Sequence, residues 1–318
     1  MGHDAVGRKR GSVAVAAGGA FYDAVEETAR ALYIKALKDV PADIRTAITQ
    51  AYAREQHDVA KKILSLIVRN VEIADERRMI VCQDTGTPIF WVGLGTAVHV
   101  DGVRIAEALR AGIERATRDH PLRSSVCHPL TRENPQTNTG YRIPVIHWEF
   151  LAGAEHVELL CVPKGSGSEN MSFLRMLTPA DGVDGIRRFV LESVVEAGAN
   201  PCPPCIVGIG VGGSADACMV LAKRAAVRRI GTHNPDPHLA ALEVELLEKI
   251  NSLGIGPQGV GGDTTALAVH IEHAYTHITQ NPVGLNMQCW RGLRAEARIH
   301  PDGRAELGNS SLSAPRPF

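Results

Sequence analysis

The sequence predicts an α/β fold: an N-terminal helical layer followed by mixed sheets flanked by helices. Three observations carry that expectation. Aromatic residues are only 4 % of the 318 positions while glycine occurs 31 times, a composition suited to many tight strand-to-helix turns. Roughly the first 75 residues repeat apolar side chains at helical spacing. From Val81 onward, short apolar runs alternate with further helical periods and glycine-rich loops.

In chain order, Phe21 to about Lys38 places Val25, Leu32 and Leu37 on or near one helical face, and Pro41 breaks it. A second helix starts near Asp43. A third starts at Asp58, expected as its N-cap, with Val59, Ile63, Leu64, Ile67 and Val71 in helical register. Val81 to Gly95, VCQDTGTPIFWVGLG, then reads as a strand over Met79–Val81, a sharp polar loop, and a second strand from Ile89. Asp101-Gly102 signals a tight turn, and Ile105 to Ala116 is helical. Arg118 to Gly140 has no period. It concentrates Arg123, Cys127, His128, Arg132, Asn134 and Asn138, side chains suited to gripping an anion, although a solvated loop explains them as well.

Strands follow at Val145–Phe150 and Val157–Val162. Pro163 to Asn170, PKGSGSEN, offers backbone N–H groups and a cation able to cradle a carboxylate or phosphate, without the order of a P-loop. Helices are expected over Gly182–Ala197, Ser214–Arg229 and His238–Leu253. Strands are expected over Ile206–Ile209, Ala266–Ile271 and Gly284–Gln288. A terminal hairpin turns at Pro301-Asp302-Gly303. The corresponding organisation is a flexible tail over 1–20, a helical layer over 21–75, a catalytic region over 76–300, and a hairpin and tail over 301–318.

Charge narrows the partners. Thirty-four Lys and Arg against 35 Asp and Glu give a formal net charge of -1, with no basic stripe for nucleic acid. No apolar stretch approaches the ~20 residues of a membrane span. Arg8, Lys9 and Arg10 before Val13–Ala20 loosely mimic a signal peptide but lack its leucine-rich segment. Seven scattered cysteines fit reduced thiols and a cytoplasmic setting better than a disulfide framework.

Two motifs invite other readings. Gly208-Ile-Gly-Val-Gly-Gly213 matches the dinucleotide-binding glycine pattern between a strand and a helix, which would make the chain a nucleotide-binding oxidoreductase. The required strand ending in an acid about 20 residues later is missing, so close strand–helix packing is the better explanation. Cys202-Pro-Pro-Cys205 is formally C-x-x-C and could serve a redox or metal-storage protein. It precedes a strand instead of opening a helix, no second pair accompanies it, and the prolines are expected to hold both cysteines extended. Cys205 begins an apolar strand and reads as core, as do Cys161 and Cys218. Cys82, Cys202 and Cys289 each stand at a strand–loop junction. Three such thiolates would suit an iron–sulfur cubane with one iron left open, a Lewis acid; spacing alone leaves isolated buried thiols as the better reading.

Family resemblance adds what spacing lacks. VCQDTGTPIF, PKGSGSENMS, NPCPPC with the following glycine turn, LGIGPQGVGGDTTALAVHIE, THIT and LNMQC, in that order, resemble the class I iron–sulfur hydro-lyases, the oxygen-sensitive fumarases and L(+)-tartrate dehydratases. The likeness covers about residues 25 to 300. It implies that Cys82, Cys202 and Cys289 hold a [4Fe-4S] cluster. It also implies that Gln83, Asp84, Arg123, Gly167 and His277 line the substrate site, with Arg123 gripping a carboxylate and Asp84 or His277 as candidate base. It implies reversible hydration of a small dicarboxylate, fumarate to (S)-malate or tartrate to oxaloacetate, with KGSGSENMS leaning to fumarate. Only the α part of such enzymes is visible, so a separate β subunit, in a hetero-oligomer or a dimer of αβ units, is implied. The departures are Asp263 in place of a basic residue, GSGS in place of a triple glycine, and the additional Cys205.

Overall fold

The computed structural model describes residues 15–16, 18–308 and 310–314. Most of the expected N-terminal tail, including Arg8 to Arg10, lies outside the described residues. The element order is β1 (Val15–Ala16), α1 (Gly19–Lys38), α2 (Ala42–Arg54), α3 (Asp58–Arg77), β2 (Thr87–Gly95), β3 (Val98–His99), α4 (Gly102–Asp119), β4 (Val145–Leu151) and β5 (Val157–Lys164). There follow α5 (Ser166–Glu169), β6 (Ser172–Leu177), α6 (Gly182–Ala197), β7 (Cys205–Val211), α7 (Ala215–Ala226), α8 (Pro237–Ser252), β8 (Ala266–His273), β9 (Asn281–Gln288), β10 (Ala295–Ile299) and β11 (Ala305–Leu307).

Two mixed sheets organise the chain. The first has order β11-β10-β5-β2-β4 and the second β6-β9-β7-β8. β2 pairs parallel to β4 and antiparallel to β5, with Ile89 opposite Val162. β7 pairs parallel to β8 and antiparallel to β9, with Ile206 opposite Gln288.

Period-2 alternation assigns each face of these sheets to a core. Phe90, Val92, Leu159, Cys161, Ala295 and Ala297 pack against α1 and α4. Gly112 makes that helix pair possible, since a Cβ there would meet the Glu26 carbonyl at 2.5 Å. Ile89, Trp91, Leu160 and Val162 face the other way, onto Val227 and Leu312. In the second sheet, Val207, Ile209, Val269, Val283 and Leu285 pack against α6 and α8. Its opposite face carries Gly208, Gly210 and Gly284, on which α7 lies. A Cβ at Gly208 or Gly210 would overlap the α7 backbone at Ala222, Ala226 or Cys218. The G-x-G-x-x-G stretch is therefore a packing surface for α7.

The N-terminal helices serve two cores. α1 belongs to the first sheet, whereas α2 and α3 cover Ile206, Ala268 and Trp290 at the end of the second. Some expectations need correction. Met79–Val81 is not a strand: the backbone is irregular and Met79 is exposed, while Ile80 and Val81 turn inward. His57, not Asp58, is the N-cap of α3. Asp101 is not a turn residue but the N-cap of α4, its carboxylate accepting from the Val103 and Arg104 N–H groups. Among the described residues, no helix is long and apolar enough to cross a membrane.

Candidate active site

Strand direction decides where the site falls. The loop before β2, the end of β5, the loop before β7 and the end of β9 all open at one common edge of the two sheets. Cys82, Lys164, Cys202 and Cys289 stand at those four ends. A cavity of about 500 Å³ opens there, a volume ordinary for a small-ligand pocket. Its lining includes Cys82, Gln83, Asp84, Arg123, Cys127 and Arg132.

The Asp84 loop is fixed from several sides. Asp84 Oδ1 accepts from the Gly86 N–H at 2.9 Å and Oδ2 from the Ser166 N–H at 3.0 Å. Tyr33 of α1 donates its hydroxyl to the Thr85 carbonyl at 3.0 Å. The Thr85 hydroxyl donates to the Arg123 carbonyl, so a side chain of the cysteine loop holds the backbone of the arginine loop. Gly165 owes its identity to space, not to dihedral freedom. A Cβ there would sit 3.0 Å from Asp84 Oδ2 and 3.3 Å from Arg291 Nη2.

The three junction cysteines converge. Cys82 is half-buried, Cys202 exposed and Cys289 buried. The Trp290 N–H donates to the Cys202 carbonyl at 3.4 Å, tying two of their loops together. Burial first, then the charges of Cys289 and Cys82, push the Cys202 thiol up. Cys202 is not extended as the neighbouring prolines suggested. Its φ is 56°, in the left-handed region, a conformation uncommon outside glycine. Gly167, in α5, packs on the same loop, where a Cβ would meet the Asn200 carbonyl at 2.9 Å.

This donor set fits a cluster better than a single ion. A tetrahedral zinc with Zn–S of ~2.3 Å would need sulfurs about 3.8 Å apart. The three thiols do not all lie within even 4.8 Å of one another. A wider multi-iron centre suits three thiols within electrostatic range of one another. The remaining cysteines divide as the sequence suggested. Cys161 and Cys218 are raised by burial, the latter to about 11. Cys205 is raised by burial and directs its Sγ to the Pro201 carbonyl at 3.6 Å.

Other placements were not foreseen. Lys164 does not reach into the cavity. It is 1 % exposed, and its Nζ donates to Ser168 Oγ and the Met287 carbonyl, each at 2.7 Å. Burial lowers its pKa to about 8 against the opposing pull of Glu169 and Cys289. Asp263 lies outside the cavity and clasps two loops. Its N–H donates to buried Glu55, and its carboxylate accepts from the Gln56 N–H at 3.2 Å. His277 is not brought to the cavity within this chain. It follows β8 on an exposed turn at the far end of the second sheet, where its Nδ1 engages Thr279. Eight residues of β8 separate the two ends, roughly 20 Å or more at strand rise.

Arg291 is the residue sequence reasoning missed. It is buried beside the cysteines, and its Nη1 donates to the Asp84 carbonyl at 3.1 Å. Burial works against its cation, but the neighbouring Cys289 and Cys82 outweigh that and hold its pKa above the ordinary value.

Comparison with known proteins accords with this arrangement. A family model described as fumarate hydratase (Fumerase) matches residues 26–298. A putative L(+)-tartrate dehydratase subunit alpha of Methanocaldococcus jannaschii is 46 % identical over 275 residues, covering 86 % of this chain and 96 % of the relative. An L(+)-tartrate dehydratase subunit alpha of Escherichia coli strain UTI89 is 32 % identical over 263 residues, covering 83 % and 86 %. The chain therefore belongs to the fumarate hydratase (Fumerase) family.

Proposed function

We propose that this chain is the α subunit of a [4Fe-4S] hydro-lyase that reversibly hydrates a small dicarboxylate, with fumarate to (S)-malate as the first reading. Membership in the fumarate hydratase family makes it a hydro-lyase. The observation that carries the finer reading is Cys82 in the cavity that also holds Arg123 and Asp84, with Cys202 and Cys289 gathered beside it. Cys82, Cys202 and Cys289 are the ligands of the cluster in this reading. When bound, a cluster with one iron free of protein ligand supplies Lewis acidity toward the substrate hydroxyl.

The side chains of this chain do the rest. Arg123 holds a substrate carboxylate by charge-assisted hydrogen bonds, and Gln83 orients the substrate beside it. Asp84, aimed by the Gly86 and Ser166 N–H groups, faces the cavity and carries the proton exchanged at carbon. His277, the other candidate base, stands at the opposite end of the second sheet, so within one chain Asp84 is the better placed. Gly167 keeps the β5–α5 turn close to the Cys202 loop.

A second reading, L(+)-tartrate to oxaloacetate, is favoured by the printed names of the relatives. Those names also support a separate β subunit as partner, which would close the cavity over the exposed Arg123. The test is an anaerobic panel of fumarate, malate, L(+)-tartrate and mesaconate with the co-expressed β subunit. Turnover of fumarate and malate above tartrate supports the first reading, and the reverse order selects the second. No turnover of any dicarboxylate by the iron-loaded complex refutes both.

A further inference from the structure

Arg291 is a buried guanidinium whose hydrogen bond goes to a backbone carbonyl. It is 4 % exposed. Among the described residues no carboxylate lies within ion-pair distance of it, in contrast to buried Arg228, which faces Glu243 at 2.9 Å. A buried cation without an ion-pair partner is costly. Arg291 sits in the turn that follows Cys289, closed by the Gly292 N–H donating to the Cys289 carbonyl at 2.9 Å, and its Nη1 donates to the Asp84 backbone carbonyl at 3.1 Å. Its second terminal nitrogen and Asp84 Oδ2 both lie close to Gly165. One planar side chain thus joins the turn of a proposed cluster ligand to the proposed proton-carrying residue and to the turn that aims that residue's carboxylate. Arginine can do this because its donors form a rigid fork; lysine offers a point charge without the fork.

We infer that Arg291 is a positioning residue that couples the cluster ligand Cys289 to the backbone of Asp84, so that ligand loop and substrate loop are held as one unit. The inference rests on the functional reading above for its consequences, but the coupling itself belongs to the protein chain. Two effects follow. Removing the fork loosens Asp84 and raises KM more than it lowers the iron content. Removing an N–H donor and a cation from beside a ligand sulfur lowers the cluster's reduction potential, because both favour the more negative, reduced state.

The test uses Arg291→Gln and Arg291→Lys. In the cluster-free chain, amide hydrogen exchange at Gly86 and Ser166, whose N–H groups bind the Asp84 carboxylate, is expected to rise about tenfold in Arg291→Gln. In the reconstituted complex, Arg291→Gln is expected to shift the reduction potential negative and raise KM about tenfold at unchanged iron content. Arg291→Lys should restore the potential but not KM. Unchanged exchange, or a fully loaded Arg291→Gln variant with wild-type potential and KM, overturns the inference. Exchange in the cluster-free chain does not depend on iron, so it still decides the coupling if the wild type fails to bind a cluster and the functional reading falls. Should Arg291→Gln fail to fold, the Arg291→Lys split between potential and KM decides alone.

Discussion

Arg291 and Asp84 are 207 positions apart, and a 3.1 Å hydrogen bond from guanidinium to backbone carbonyl joins them. That contact links the end of the second sheet to the loop that opens the first. A methyl group at Gly165 would press on Asp84 Oδ2 at 3.0 Å and Arg291 Nη2 at 3.3 Å, so both side chains would have to give way. Gly165→Ala is expected to displace Asp84 and lower kcat/KM by roughly tenfold to a hundredfold, the scale of a small misplacement at a reacting centre. The melting temperature should move little. Steady-state kinetics beside a thermal melt checks this; wild-type kinetics would show that the gap is unimportant.

Gly208 and Gly210 carry α7, not a cofactor. Gly208→Ala should destabilise by ~3 kcal/mol or more, because the new atom meets helix backbone that cannot rotate away. The measurement is urea unfolding of the variant. Calorimetry of the wild type with a nicotinamide dinucleotide should show no binding, and tight binding would revive the oxidoreductase reading.

Glu55 is buried and accepts the N–H groups of Gln56, His57 and Asp263. The loop it holds reaches Gln258, whose backbone and side-chain nitrogens both donate to the Pro203 carbonyl beside Cys202. Glu55→Ala removes the acceptor of three part-buried N–H groups, of which Gln56 keeps the Asp263 carboxylate, and should cost about 2 kcal/mol. It should also reduce iron retention without touching a ligand. Asp263→Ala should do less of both, since the Asp263 backbone N–H keeps its bond to Glu55. Denaturant melts and iron assays on the two variants rank them.

His270 gives the fold an acid-sensitive element away from the site. Burial first, then the Arg228 guanidinium, pushes its pKa down to about 3, and its Nδ1 lies 3.2 Å from the Ala225 carbonyl. Between the ordinary histidine value of about 6.5 and 3, the unfolded chain holds a proton on this ring that the folded chain refuses. Stability therefore rises with pH across that window and falls as the solution is acidified, on the order of 1.4 kcal/mol per pH unit at most. His270→Gln should flatten this part of the stability–pH curve. An unchanged slope would assign the acid sensitivity elsewhere.

Much of the fold was legible because β2, β5, β7 and β8 are continuous apolar runs between turn signals, and α1, α3 and α4 are clear amphipathic repeats. Met79–Val81 has the same apolar character and is no strand, because no neighbouring strand is there to pair with it. β6, Ser172–Leu177, was missed since its Leu174 and Met176 are exposed and the exposed Arg175 interrupts its other face between Phe173 and buried Leu177. The cysteines were legible through resemblance, and their gathering at one sheet edge only through strand direction. The same topology sends His277 to the far end, which spacing within THIT could not reveal. Arg291 was invisible because a lone arginine after Cys289-Trp290 reads as surface, and Lys164 because a lysine beside glycines reads as an anion grip. In both cases long-range packing decides where the charge points.

The central claim is that Cys82, Cys202 and Cys289 together hold a four-iron cluster. The most direct measurement is iron and sulfide per chain after anaerobic reconstitution, compared among single Cys→Ser variants. The account predicts about four of each in the wild type and in the Cys161, Cys205 and Cys218 variants, and loss of cluster retention in each of the three ligand variants. Equal iron in both groups, or one zinc per chain that depends on Cys205 and not on Cys82, would contradict it.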